Sequence, residues 1–204
     1  MYPGERFNSY SHLVGLALCL GGAAVLLARV APMGDAARAA GALVFALCAV
    51  ALYAASTLFH STRGRAKRFW QRADHCSVFL LIAGSFTPFA LAAARDGWDL
   101  LPLALIWAVA ALAIVRELRA TRGSPPSLAV YVTMGWLAVL AAAPLAARMQ
   151  GPGLACLMIG AALYTAGTLF YRNPFGWRHA HGMWHLFVLG GTASHFVAVT
   201  WYVL

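Results

Sequence analysis

Runs of about twenty apolar residues alternate along this chain with short polar breaks, and a run of that length is what an α-helix needs to cross a bilayer. Seven spans are expected, at residues 11–30, 39–61, 74–94, 99–116, 127–147, 152–171 and 181–203, the fourth being the shortest. The breaks contain residues that end helices: Pro32 and Gly34, Gly64, Gly97, Gly123 to Pro126, Gly151 to Gly153, and Asn173-Pro174. No linker is long enough to separate two folding units, so residues 1–204 are expected to form one domain. Small residues recur inside the spans, as in Ala141-Ala142-Ala143 and Gly190-Gly191, which lets helices approach closely in lipid. The polar stretch from Met1 to Tyr10 precedes the first run, which is read as a retained span rather than a cleaved signal peptide.

Composition agrees with this pattern. Of the 204 residues 62% are hydrophobic and 10% are charged, against about 25% charged in soluble domains. The mean hydropathy is +0.72. The fold class expected is an all-α integral membrane protein, a bundle of seven transmembrane helices. Net charge is +9, but the cations sit in short loops between apolar spans, where they orient membrane helices, so nucleic acid is excluded as a partner. With the N-terminus inside, the inner segments hold Arg6, the cluster from Arg63 to Arg72, Arg116, Arg119, Arg122, Arg172 and Arg178. The outer segments hold only Arg29, Arg38, Arg95 and Arg148. That bias puts the N-terminus in the cytoplasm and the C-terminus outside. Cys19, Cys48, Cys76 and Cys156 form no CxxC pair and read as small buried hydrophobes.

Polar residues inside the spans carry the candidate chemistry, because ionisable groups at membrane depth usually mark function. The topology places His60 at the inner end of the second span, Asp74 at the inner start of the third, and His181 and His185 in the first turns of the seventh. These four groups therefore share one depth. His181 and His185, four apart, lie on one helix face and can grip one metal ion. Imidazoles with a carboxylate are ligand types that zinc selects. Ser56, one turn before His60, is placed to orient that imidazole or a metal-bound water. The alternatives are a hydrogen-bonded interfacial His60, a headgroup-facing His181 and His185, and an Asp74 that merely caps its helix. His75 points about 100° away from Asp74, and His195 lies about 21 Å above His181, so neither joins the group. Glu5, Asn8 and His12 are spaced as an amphipathic helical entry with a structural role. Trp70, Trp98, Trp177 and Trp184, near span ends, are mostly explained by an interfacial belt.

The chain resembles the hemolysin III family, the bacterial branch of the progestin and adipoQ receptor group, in a superfamily that includes alkaline ceramidases. The resemblance is carried by Glu5-Arg-Phe-Asn8-Ser-Tyr-Ser-His12, by Ser56-Thr-Leu-Phe-His60, by Asp74-His75-Cys-Ser77 with Ile82-Ala-Gly84-Ser85-Phe-Thr87-Pro88, by His181-Gly-Met-Trp-His185 and by His195-Phe. It implies zinc near the cytoplasmic face of a bacterial inner membrane, held by His60, His181 and His185, with Asp74 approaching through water and Ser56 in support. Three functions follow from such a site. The first is hydrolysis of a membrane lipid, such as an amide of the ceramide type, with Asp74 as general base. The second is a non-enzymatic homeostasis or receptor-like role with zinc as a structural staple. The third, cytolytic pore formation, asks for a polar stripe across several helices, whereas the polar groups gather at one face.

Overall fold

The computed structural model describes residues 4–120, 127–142 and 151–204. Among them the backbone forms seven α-helices and no strand: α1 (Arg6–Val30), α2 (Ala36–Ser61), α3 (Gly64–Ala93), α4 (Leu101–Arg119), α5 (Leu128–Ala141), α6 (Gly151–Arg172) and α7 (Ala180–Ala198). The last runs on as a π-helical segment, Val199–Val203. Six of these are long and apolar enough to cross a membrane, and α5 is a shorter apolar helix. The chain is an all-α, multi-pass membrane protein. The end of the fifth expected span, residues 143–147, lies outside the described residues, as do Gly123 to Pro126, Arg122 and Arg148.

Two helices begin earlier than the apolar pattern implies. α3 starts at Gly64, because the basic stretch before Asp74 is rich in Arg, Ala, Lys and Gln, which are good helix formers. Asp74 is therefore an interior residue of α3, and the reading of it as a helix cap fails. α1 starts at Arg6, with Glu5 at its N-cap position. α2 has a side-chain cap: Asp35 accepts hydrogen bonds from the backbone N–H groups of Ala37 and Arg38.

In lipid, a helix satisfies its own backbone, and helices then associate through close packing of small residues. Here α2 packs between α1 and α3, α6 packs on α7, and α1 also meets α7. The α2–α3 contact is the most extensive among the described residues. A Cβ on Gly84 would lie 2.7 Å from Cys48 Cβ and Sγ, and one on Gly41 would lie 2.8 Å from Pro88 Cα. Tyr53, Leu52, Phe89 and Leu26 fill the interior. Leu18, Leu112 and Leu140 are exposed on the outer surface, as suits helices solvated by acyl chains. α5 contacts α3, α4 and α6 but packs less closely than the others. Between α3, α5, α6 and α7 lies an open-mouthed cavity of about 110 Å³.

Replacing Gly84 by Val is expected to force α2 and α3 apart and destabilise the bundle by about 1–3 kcal/mol. A lowered thermal midpoint of the purified protein in detergent would be the readout. An unchanged midpoint would mean that the helices do not meet as closely as described.

Candidate metal centre

The up-and-down course of the chain brings the start of α1, the end of α2, the first half of α3 and the start of α7 to one end of the bundle. His60, in the last turn of α2, meets His181 and His185 of α7 there. One nitrogen from each lies within 4.8 Å of the other two, so the three could hold a metal ion. His60 Nε2 and His181 Nε2 are 3.3 Å apart. Nitrogens sharing a tetrahedral ion at about 2.0–2.1 Å are separated by roughly 3.4 Å. His185 is fully buried, and His60 is 2% exposed.

Hydrogen bonds on the far side of two rings fix which nitrogen faces the centre. His60 Nδ1 lies 2.7 Å from Glu5 Oε2. A carboxylate can only accept, so Nδ1 carries the proton and Nε2 keeps its lone pair. His185 Nδ1 lies 3.1 Å from the carbonyl of Asn8 and 3.0 Å from Ser11 Oγ. It therefore donates as well, which leaves Nε2 as an acceptor with no hydrogen-bond partner. A buried acceptor without a donor is costly, and a cation placed among the three nitrogens removes that cost. The donor set thus fits a metal that prefers imidazole.

The residues that orient these rings come from the first two turns of α1, which were read above only as a helical entry. Glu5 also accepts from Lys67 Nζ at 2.9 Å and from Asn8 Nδ2 at 2.9 Å. Burial opposes ionisation of Glu5, but the bonds from His60, Lys67 and Asn8 outweigh it and hold the carboxyl well below the usual carboxylate range. His12 stacks on His185 with ring centroids 3.6 Å apart and meets Tyr53 nearly at right angles, with centroids 4.9 Å apart. Gly182 is required where Phe7 crosses α7, since a Cβ there would run into the phenyl ring. The signal in the sequence was the run Glu5 to His12, polar at a helix start. That a main-chain carbonyl within it would hold a ligand imidazole has no sequence signature.

Asp74 stays outside the three-histidine group. It is 6% exposed and lines the cavity, as do His12 and Trp184. Ser56 is fully buried and faces the Asp74 carboxyl rather than the His60 ring, with no hydrogen bond of good geometry. Trp184 packs against His181 and His185 at 5.1 and 5.4 Å between centroids, so it belongs to the centre and not to an interfacial belt. His75 turns away, as its helical angle requires, and its Nδ1 meets Glu117 Oε1 at 2.7 Å. His195 is buried deeper along α7, with Nε2 3.2 Å from the carbonyl of Leu157. His179 stands at the N-cap position of α7.

A helical membrane bundle with three converging imidazoles at one end and an internal cavity beside them defines the class. The Haemolysin-III related family matches residues 2–196, and the chain belongs to it. It is 35% identical to Hemolysin-3 of Bacillus cereus over 98% of this chain and 92% of that one. It is 34% identical to the Hemolysin-3 homolog of Bacillus subtilis (strain 168), over 97% and 93%. More distantly, it is 27% identical to the monocyte to macrophage differentiation factor of Homo sapiens, over 96% and 83%.

Glu5→Gln removes the charge that fixes His60 while keeping its shape. Losses of such supporting groups cost about 10–100-fold in metal affinity. Competition with a chelator, read as metal retained per chain, is expected to show a loss in that range. Affinity equal to that of the unmodified protein would mean that the three nitrogens are not a metal site.

Proposed function

We propose that this chain is a zinc-dependent hydrolase of membrane lipid, working near the cytoplasmic face of a bacterial inner membrane. The observation that carries this reading is the place of Asp74. It is a buried carboxylate set apart from the three histidines and bordering an open-mouthed cavity with mainly apolar walls. A metal that only ties helices together needs neither the carboxylate nor the cavity. The concentration of cations at the histidine end, from Arg63 to Arg72 and at Arg116, Arg119, Arg172 and Arg178, supports a cytoplasmic placement of the centre.

His60, His181 and His185 would hold zinc, and zinc so bound supplies a water activated at neutral pH and a Lewis acid for an acyl carbonyl. The chain's own residues do the rest. The apolar walls of the cavity take up the acyl chain and exclude bulk water. Asp74 accepts a proton from the attacking water as general base and returns it to the leaving amine. Ser56 limits the rotation of the Asp74 carboxyl. In an amide substrate of the ceramide type, water adds across the acyl C–N bond. The hydroxyl goes to the acyl carbon, giving a fatty acid, and the proton goes to nitrogen, giving a free amine.

A second reading has one observation in its favour. The ligand histidines bridge α2 and α7, helices far apart in sequence, and are braced by α1. Zinc as a staple would serve a receptor-like or homeostatic protein. Two variants separate the readings. Asp74→Asn is expected to keep its zinc and fold but to lose fatty-acid release from ceramide by about 10²–10⁴-fold. His181→Ala is expected to lose both zinc and release. Full release by Asp74→Asn would sink the hydrolytic mechanism and leave the staple.

A further inference from the structure

The cavity runs away from the histidines for most of the length of α5, from Leu128 to Ala142, which is about 21 Å. Its walls are mainly apolar, but a belt of polar side chains crosses it. Ser85 on α3 lies eleven residues past Asp74, and His195 on α7 lies ten residues past His185. Both helices start at the histidine end, so the two residues sit at one level, about 15 Å from the metal centre. Thr165 and Trp136 border the same stretch from α6 and α5.

The protons of this belt are already engaged. Ser85 Oγ donates to the Ile82 carbonyl, and Thr165 Oγ1 donates to that of Ala161. Trp136 Nε1 donates to Thr165 Oγ1. Thr192 gives its proton to the Val188 carbonyl, so Tyr164, 2.9 Å away, must donate to Thr192. His195 is the informative member. A carbonyl can only accept, so the contact with Leu157 puts the His195 proton on Nε2. Nδ1 is then a lone-pair acceptor, and it has no partner although the residue is 6% exposed. The Nε2 edge is pressed against Gly160, which fixes the ring's orientation. What the belt retains is the capacity to accept: the lone pairs of Ser85 and the free nitrogen of His195. A guest carbonyl would find no donor here, whereas a guest hydroxyl would find acceptors.

We propose that the cavity selects a lipid chain bearing a hydroxyl about 15 Å from the group that reaches Asp74, with His195 Nδ1 accepting its hydrogen bond. The inference rests on the reading that an acyl chain enters this cavity, and it names a feature of that chain. It also accounts for a buried histidine that the metal centre does not use.

The test uses the full chain in phosphatidylcholine nanodiscs, with binding read from the fluorescence of the cavity tryptophans Trp136 and Trp184. The probes are stearic acid, stearic acid with a mid-chain hydroxyl, and the corresponding mid-chain ketone. The hydroxy acid is expected to bind about fivefold more tightly than stearic acid, the worth of one neutral hydrogen bond, and the ketone more weakly than either. His195→Phe is expected to abolish the preference while stearic acid binds as before. Should that variant fail to fold, Ser85→Ala removes the other acceptor at this level and is expected to reduce the preference, and the ranking by the unmodified protein stands as a test alone. Equal binding of hydroxy acid and stearic acid, or a ketone that matches the hydroxy acid, overturns the proposal and leaves the lipid cavity standing. Binding of none of the three overturns both.

Discussion

Three imidazoles are brought together where little water can reach them, and two of them turn lone pairs toward the meeting point because their protons are held elsewhere. That constraint organises the rest of the histidine end. A lone pair buried without a donor is unfavourable, so the groups on the far side of each ring decide whether the centre can hold a cation. Glu5 and the Asn8 carbonyl supply those groups, and both lie at the start of α1. α1 is therefore more than a neighbour of α2 and α7. It is the element that orients two of the three imidazoles that could hold a metal.

The same helices divide the labour of packing. α1, α2 and α3 meet through small residues and leave little space, and α6 meets α7 closely. α5 packs less tightly, and the cavity opens beside it. Close packing on one side keeps the three histidine nitrogens near one another, and the looser packing of α5 leaves the cavity open on the other. The three-histidine group sits on the closely packed side, while Asp74 and Trp184 line the cavity.

The spans and the depth of the polar groups were legible in the sequence because both follow from simple periodicities. Twenty apolar residues cross a bilayer, and alternate crossings bring the end of α2 and the starts of α3 and α7 to one side. The pair His181 and His185 was legible because residues four apart share a helix face. What could not be read were interactions without a residue-type signal. Any residue has a carbonyl, so nothing marks that of Asn8 as the partner of His185. The pairing of His75 with Glu117 joins residues far apart on helices whose mutual rotation is set by packing. Ser56 shares a face with His60, yet it is turned toward Asp74 by the closeness of α2 and α3. A cavity is harder still, since it is the volume left over by four helices.

The surroundings of Asp74 contrast with those of Glu5. A carboxylate 6% exposed is unfavourable unless something offsets its burial, and neither Ser56 nor the three histidines hold it by hydrogen bonds of good geometry. Structural ion pairs in proteins are held on both sides, as Glu5 is by His60, Lys67 and Asn8. Asp74 has the opposite character: buried, weakly supported, and bordering empty space. Glu5 and Asp74 thus differ by environment alone: the first is held by three hydrogen-bond partners and orients His60, and the second is buried beside the cavity.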